Sequence, residues 1–239
     1  CEKPPVINSR QIKFLKLKDK GKIFYNYNMR FSKVFNFIQK CVKYKVGRFL
    51  DGEVIFSHAL ATQKKYEKDW RSDKKFARKG VFEIVSVHAL DLLANIFKKI
   101  QVRANYFTNK SKYGSSIDGA LTLLEVNNSS YVKIFSSYCA PYNYKIRLIY
   151  ENGIIEIDDK YLNFFYPGRI INKKGFTVKP KKLLCKAYDR GRDYRSSIEN
   201  TVNYFIDHFI NRKKFPSQQK KNALYSKEYI FVFSCLFFY

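Results

Sequence analysis

Three short segments carry residue types that could do chemistry together. Glu2-Lys3-Pro4 lies at the start of the chain, Asp69-Trp70-Arg71 lies in a polar stretch, and His88-x-x-Asp91 lies in an apolar-patterned one. An amine held beside a carboxylate at a rigid turn can give a proton or a hydrogen bond to a reacting hydroxyl. An imidazole that faces the same cleft can act as an acid or a base, so the three segments together would suit proton transfer at a hydroxyl.

Each segment also has a purely structural explanation. His88 and Asp91 are three residues apart and share one face of a helix, where a histidine can simply belong to the core. Trp70 can anchor its own loop. Lys3 precedes two prolines, which impose an extended or turn conformation on it. The residues therefore leave both explanations open until the surrounding elements are considered.

The first third of the chain predicts alternating helices and strands. A helix capped by Asn8 or Ser9 and ending near Gly21 is predicted, followed by a strand over residues 23–27. A second helix is predicted from Phe31 to about residue 43, and then, after Gly47, an alternating strand through Val54, Phe56 and His58. Residues 63–78 are mostly polar and charged, which predicts a long loop over a site.

The middle of the chain changes from helical to strand periodicity. Residues 81–97 predict one regular helix that carries His88 and Asp91. Asn152-Gly153 predicts a hairpin with a type I′ turn, because such turns require positive φ at both central residues. The remaining pattern predicts a mostly antiparallel sheet, then a helix over residues 196–212, with strands at residues 101–108, 120–126, 131–137, 144–150 and 154–158.

The composition excludes several classes of protein. With 46% hydrophobic and 18% aromatic residues the chain is not a disordered tail, despite its net charge of +26. Lysine recurs in nearly every segment, which indicates a compositional bias, and the basic runs at residues 173–182 and 212–221 predict solvated loops. A basic nucleic-acid-binding protein is the alternative that this charge leaves open. We expect no nucleic-acid partner.

Cysteine spacing and apolar run length bear on environment. The five cysteines are far apart, with no C-x-x-C pair, which argues against a disulfide scaffold or a metal site and predicts a reducing, cytoplasmic setting. The longest apolar run, residues 229–239, is about half of the ~20 residues that a membrane-spanning helix needs. No signal-peptide pattern begins the chain, and we expect no membrane association.

The order of these motifs closely resembles the Gfo/Idh/MocA oxidoreductases. The resemblance rests on E-K-P at residues 2–4, N-x-R-F at 28–31, D-W-R at 69–71 and H-x-x-D-L-L at 88–93, and extends to about residue 165. It implies an α/β (α+β) fold, and we expect the chain to have three parts. Residues 1–27 would be the last helix and strand of an N-terminal dinucleotide-binding Rossmann domain. Residues 28–215 would be a C-terminal substrate-binding and oligomerisation domain with an open, mostly antiparallel sheet flanked by helices. The third part, residues 216–239, is an apolar segment that the resemblance does not cover. Its run from residue 223 predicts a helix or a buried strand, and we expect a helix.

This resemblance implies hydride transfer between NAD or NADP and the hydroxyl or keto group of a sugar, cyclitol or sugar nucleotide. Lys3 would hydrogen-bond the reacting hydroxyl, and His88 would be the acid/base or a substrate ligand, so both are expected to be catalytic. Asp91 would bind substrate beside them. A homo-oligomer formed through the sheet is expected. The residues expected to line the cofactor side are Glu2, Pro4, Arg30, Trp70 and Arg71.

Two departures from the resembled pattern affect the site. Many relatives carry a carboxylate four residues before the histidine, where this chain has Ile84, and on a regular helix Glu83 would point about 100° away. No G-x-G-x-x-G turn, the usual pyrophosphate-binding element, occurs in the sequence. We therefore expect a truncated oxidoreductase that lacks most of its cofactor site and has little activity by itself. The alternative is a non-catalytic remnant that associates through an aromatic sheet face formed by Tyr106, Tyr131, Phe135 and Tyr138.

Overall fold

The computed structural model describes residues 23–166 and 171–216. The predictions for Glu2, Lys3, Pro4, the first helix and the apolar C-terminal segment lie outside these residues. The helices are α1 (Lys33–Cys41), α2 (Val87–Ile96) and α3 (Arg190–Ile210). The strands are β1 (Phe49–Ser57), β2 (Ile100–Thr108), β3 (Gly119–Val126), β4 (Ser130–Ser137), β5 (Asn143–Tyr150), β6 (Gly153–Ile157), β7 (Tyr161–Tyr166) and β8 (Lys181–Ala187).

The eight strands form one open sheet in the order β2-β3-β4-β1-β5-β6-β7-β8. Neighbouring strands are antiparallel except for β1 and β4, which are parallel. β1 comes before α2 and β2–β4 in the chain, but in the sheet it lies between β4 and β5. The predicted α/β fold with an open, mostly antiparallel sheet is confirmed.

The two faces of the sheet differ because side chains alternate along each strand. One face is the core, where Val54, Ile134 and Leu148 are wholly buried. Leu90 and Leu93 of α2 pack into the same core and are also wholly buried. Burying a side chain of this size contributes about 1.5–3 kcal/mol. This packing fixes α2, the helix that carries His88, against the sheet.

α1 begins at a serine cap. The Ser32 hydroxyl accepts a hydrogen bond from the Phe35 N–H at 3.1 Å and donates one to the Met29 carbonyl at 2.7 Å. A short 3₁₀ turn, Asn28–Phe31, precedes this cap. The N-x-R-F motif therefore forms a turn held to the start of α1 rather than the first turn of that helix.

The helix predicted over residues 81–97 is not regular. Phe82–Ser86 forms a π-helical turn, and α2 follows it directly. The entry to this turn is tight, because the Val81 N–H donates to the Ile117 carbonyl at 2.9 Å. Gly80 has φ of 44°, and a Cβ there would lie 1.9 Å from the same carbonyl oxygen. A glycine at residue 80 is thus required by backbone geometry.

The hairpin between β5 and β6 exists, but its predicted turn is wrong. Tyr150 pairs with Gly153, which leaves Glu151-Asn152 as the two-residue loop. The Glu151 carboxylate accepts from the Arg48 N–H at 2.8 Å, and the Asn152 N–H donates to the Val46 carbonyl at 2.8 Å. These tertiary contacts set the turn. Consecutive positive φ values occur instead in the β3–β4 connection, at Asn127 and Asn128 (52° and 68°).

Two further expectations needed correction. Residues 23–27 form no strand; Tyr25 and Tyr27 are buried, and the Tyr27 N–H bonds the Tyr25 carbonyl at 2.9 Å, which bends the chain. α3 begins six residues before the predicted position because Asp189 caps it, accepting from the Arg192 N–H at 2.9 Å. Within the described ranges, no helix combines the length and the apolar character that crossing a membrane requires.

Candidate active site

A cavity of about 710 Å³ lies where the ends of several elements meet. The 3₁₀ turn before α1, the end of β1, the loop before α2, the π turn, the β4–β5 connection and the first turns of α3 all contribute to its wall. The wall includes Asn28, Ser32, Ser57, His58, Asp69, Arg71, Ile84, Val85, His88, Tyr138, Asn143, Tyr144, Arg190 and Asp193.

His88, the predicted acid/base, lines this cavity from the first turn of α2 and is partly exposed to it. The preceding π turn uses i→i+5 hydrogen bonds, which widen the helix locally and are frequent at functional sites. Ile84 and Val85, although consecutive, both line the cavity beside His88. Two hydrocarbon side chains therefore share the cavity wall with the imidazole.

Glu83 is bonded at the start of the π turn. Its carboxylate accepts a hydrogen bond from the Lys79 N–H at 3.1 Å, at the start of the π turn. In the part of the chain that the structure describes, Glu83 is not among the cavity-lining residues, whereas Ile84 is. Glu83 thus binds the helix start and does not replace the carboxylate absent at residue 84.

Arg30 and Asp91 form a buried ion pair behind the cavity wall. The Arg30 Nε lies 2.9 Å from Asp91 Oδ2 and 3.2 Å from Oδ1, and Nη2 also contacts Oδ1. Asp91 is fully buried, and the Arg30 side chain is 6% exposed. Burial by itself would lower the pKa of Arg30, but the carboxylate raises it above its ordinary value. Among the described residues that line the cavity, neither member of the pair is present.

The loop segment Asp69-Trp70-Arg71 is locally rigid. Asp69 accepts from the Arg71 N–H at 2.9 Å, and its two oxygens lie 3.0 and 3.1 Å from Arg71 Nη1. The guanidinium carbon lies 4.7 Å from the centroid of the Trp70 ring. Asp69 and Arg71 line the cavity. Trp70 does not belong to the described lining, and half of its surface is exposed.

The beginning of α3 closes the opposite side. Asp193 is buried and accepts hydrogen bonds from the Lys33 N–H at 2.8 Å and the Tyr188 hydroxyl at 3.1 Å. The Asn28 amide donates to the Ser197 hydroxyl at 2.7 Å. These bonds join α3 to the 3₁₀ turn and to the start of α1. Two residues of the N-x-R-F turn thereby brace the site, Asn28 toward α3 and Arg30 toward α2.

Comparison with known proteins relates this arrangement to solved structures. No protein-family model and no curated protein sequence matches the chain. An oxidoreductase from Agrobacterium radiobacter in complex with NAD+, L-tartaric acid and magnesium matches 96% of this chain and 68% of its own, with a TM-score of 0.75 and 15% identity. Levoglucosan dehydrogenase in complex with NADH and levoglucosan matches 96% and 70%, with a TM-score of 0.71 and 13% identity. A myo-inositol dehydrogenase from Corynebacterium glutamicum matches 96% of this chain and 68% of its own, with a TM-score of 0.66 and 14% identity.

The chain has the Gfo/Idh/MocA oxidoreductase fold. The likeness covers nearly the whole of this chain and about two thirds of each of these neighbours. Within this Gfo/Idh/MocA fold, the H-x-x-D-L-L segment supplies one cavity-lining residue, His88, and one buried pairing residue, Asp91. The sequence resemblance and the structural likeness therefore agree on the fold.

The Gfo/Idh/MocA fold also brings to the cavity two residues that sequence reasoning missed as site residues. The rings of His58 and Tyr138 lie 5.0 Å apart, and both line the wall. Burial lowers the pKa of His58, and the Arg71 charge lowers it further. Tyr138 is wholly buried, so the prediction that it lies on an exposed sheet face is wrong. The reason is that β4 ends at Ser137, and the alternation of strand side chains does not extend to the next residue. The position of His58 just after a strand was the one available signal.

The described residues contain no group of three or more His, Cys, Asp or Glu side chains that could hold a metal ion. Arg190 is a further missed residue, because α3 was predicted to begin after it. Its guanidinium carbon lies 4.5 Å from the Tyr144 ring centroid and 5.4 Å from that of Tyr194. Tyr144 in turn stacks on Phe56, with ring centroids 4.9 Å apart.

Proposed function

We propose that the chain is the substrate-binding part of an NAD(P)-dependent oxidoreductase that interconverts the hydroxyl and keto groups of a sugar, cyclitol or sugar nucleotide. The observation that carries this proposal is His88 on the wall of a cavity of about 710 Å³ in a chain with the Gfo/Idh/MocA fold. Cavities of about 300–1,000 Å³ are usual for small-molecule ligands. NADH and levoglucosan in one structural neighbour, and NAD+ in another, support the same chemistry.

The polar lining suits a ligand with several hydroxyl groups. Asn143 brings an amide group to the wall, and Phe56 and Tyr144 bring stacked rings. Ser32 and Ser57 bring hydroxyl oxygens that can act as acceptors, since their protons are donated within the protein. Sugars and cyclitols present hydroxyl edges to the first kind of group and C–H faces to the second. We propose that these residues orient the substrate so that one hydroxyl carbon faces the cofactor.

The described residues on the expected cofactor side fit a dinucleotide. Trp70 offers a half-exposed aromatic ring, and Arg71, on the cavity wall, offers a cation next to it. We propose that these two residues contact the cofactor. Arg30, buried in its ion pair with Asp91, is proposed to support the cofactor side indirectly, by holding α2 in place. Glu2 and Pro4, outside the described residues, are proposed to complete this contact. The nicotinamide ring, when bound, accepts or supplies the hydride.

Oxidation of a hydroxyl group removes a proton from oxygen and a hydride from carbon. We propose that His88 takes the hydroxyl proton and returns it in the reverse reaction, and that Lys3 donates a hydrogen bond to the same oxygen. Asp91, three residues beyond His88 and fully buried in its ion pair with Arg30, is proposed to serve substrate binding by positioning α2 and thus His88. Ile84 and Val85 exclude water beside the imidazole, which keeps the proton transfer local.

The proposal is tested by cofactor binding and turnover. NAD+ and NADP+ binding is measured by calorimetry for the 239-residue chain and for the same chain extended upstream along its reading frame. Turnover with levoglucosan and myo-inositol is then followed by the absorbance of the reduced nicotinamide. We expect binding and turnover with the extended chain. Failure of both chains to bind either nucleotide would refute the oxidoreductase proposal.

A second proposal concerns association. We propose that the chain forms a homo-oligomer through the open face of the sheet. Tyr106 is 64% exposed on this face and Tyr131 48%, and the register aligns Tyr106, Leu121 and Phe135 across β2, β3 and β4. Such an aromatic row is unusual on a solvent-facing surface. Sedimentation of Tyr131→Asp should show dissociation, whereas the control Phe76→Asp, an exposed loop residue, should not. A monomeric wild-type chain would contradict this proposal.

A further inference from the structure

The charged side chains of the cavity are not equally committed to partners. Besides the two histidines, the described lining includes Asp69, Arg71, Arg190 and Asp193. Asp69 and Arg71 neutralise each other through the contacts of 3.0 and 3.1 Å. Asp193 is 3% exposed, and its two oxygens accept from Lys33 N–H and Tyr188 hydroxyl groups. Three of the four charged groups therefore have hydrogen-bond partners within the protein.

Arg190 differs from the other three. Across residues 23–166 and 171–216, its guanidinium has neither a carboxylate nor a hydrogen-bond acceptor as partner; its close contacts are the rings of Tyr144 and Tyr194. A cation–π contact holds the guanidinium without using up its N–H donors. The backbone of Arg190 is fixed as well, because its N–H donates to the Asp159 carbonyl at 3.3 Å. The side chain thus presents unused donors from a supported position.

The location of Arg190 separates it from the general basic bias of the chain. Arg192 and Arg195, on the same helix, are exposed and do not belong to the described lining of the cavity. A planar guanidinium with free N–H donors matches the two oxygens of a carboxylate or a phosphate in a bidentate manner. A neutral polyol would leave this charge unmatched inside a partly desolvated cavity.

We propose that Arg190 determines substrate specificity by binding an anionic group, a carboxylate or a phosphate ester, on the molecule that occupies the cavity. The inference rests on the proposed function only in taking that occupant to be the substrate. Tyr144 and Tyr194 hold the guanidinium in place, and the ligand's anion pairs with it. Charge-assisted hydrogen bonds of this kind change affinity by roughly 10- to 100-fold.

Calorimetric titration of the full chain tests the proposal with three matched probes: D-glucose, D-glucuronate and D-glucose 6-phosphate, each with and without NAD+ or NADP+. We expect one or both anions to bind roughly 10- to 100-fold more tightly than glucose. Preference for glucuronate identifies a carboxylate, and preference for the phosphate identifies a phosphate ester. Arg190→Gln should abolish the preference, Arg190→Lys should keep part of it, and the control Arg192→Gln should keep all of it.

Several outcomes would overturn the inference. These are equal affinity for glucose and both anions, no binding of either anion, or an unchanged preference in Arg190→Gln. Should Arg190→Gln fail to fold, as judged by circular dichroism, Arg190→Lys and competition by inorganic phosphate in the wild-type chain decide the question, and no competition counts against it. An Arg190-dependent anion preference, with neither nicotinamide nucleotide binding nor turnover in the upstream-extended chain, would refute the proposed oxidoreductase alone. Turnover in which neutral sugars and both anions are equally good substrates, in the wild type and in Arg190→Gln alike, would refute this inference alone.

Discussion

Both oxygens of the Asp91 carboxylate accept hydrogen bonds from the Arg30 guanidinium. This ion pair fixes the 3₁₀ turn before α1 to the helix that carries His88. Asp91 is fully buried three residues after His88, on the side of α2 away from solvent. The pair therefore links the N-x-R-F and H-x-x-D-L-L motifs physically. It gives both motifs a structural reason to occur together.

Removing one partner of this pair should destabilise the fold. Asp91→Ala leaves the Arg30 charge buried without its carboxylate, and we expect the free energy of unfolding to fall by about 3–5 kcal/mol. Urea denaturation measures the change. The double variant Arg30→Met/Asp91→Leu removes both charges and should recover much of the loss. Equal stability of Asp91→Ala and the wild type would show that the ion pair is not formed.

Substitutions of the two cavity histidines should affect different kinetic constants. In the active enzyme, His88→Asn removes the proposed proton acceptor, and we expect kcat to fall by about 10²- to 10⁴-fold. His58→Asn is the matched variant, because His58 lines the same cavity from the end of β1. Its effect should be mainly on KM. Steady-state turnover gives both constants, and a larger fall in kcat for His58→Asn would reverse the assignment.

Two buried tyrosines should respond oppositely to loss of their hydroxyl groups. The Tyr138 hydroxyl has no hydrogen-bond partner in the described part of the protein. Tyr138→Phe should therefore leave the free energy of unfolding unchanged or raise it. The Tyr66 hydroxyl donates to the Arg71 carbonyl at 2.9 Å, so Tyr66→Phe should cost about 1 kcal/mol. Thermal and urea unfolding test the contrast, which fails if Tyr138→Phe is the more damaging change.

Gly80 and Gly175 form a matched pair for backbone geometry. Both have positive φ, 44° and 81°, but only Gly80 faces a close neighbour, the Ile117 carbonyl. Gly175→Ala should cost about 1 kcal/mol, which is the strain of the backbone conformation. Gly80→Ala adds a steric clash at the entry to the π turn and should cost at least about 2–3 kcal/mol. Equal losses in urea denaturation would mean that the K-G turn can relax around a Cβ.

The sequence predicted the elements whose periodicity is local. Strands β2 to β6 agree with the predicted segments to within one residue at each end, since their apolar residues alternate. β7 and β8 were missed because Tyr161–Tyr166 is almost continuously apolar and Lys181–Ala187 is a lysine-rich edge. The π turn was also missed, because an apolar face looks similar whether hydrogen bonds run to the fourth or the fifth residue.

The candidate site could be predicted only where a motif marked it. His88 and Arg71, which the resemblance marked as site residues, both line the cavity. His58, Tyr138 and Arg190 reach the same cavity from β1, the β4–β5 connection and α3, which sheet topology alone brings together. Apart from the position of His58 at the end of a strand, nothing local to those residues indicates that convergence. Long-range pairing is the part of the structure that one sequence does not display.

The placement of β1 between β4 and β5 has a consequence for biogenesis. β1 finds its parallel partner about 80 residues later in the chain, and its antiparallel partner later still. At a translation rate of roughly 5–20 residues per second, both edges of this apolar strand emerge several seconds before anything can pair with them. During that interval the nascent polypeptide exposes an unpaired strand that can aggregate. The yield of the protein in a cell should therefore depend on chaperones that shield this strand.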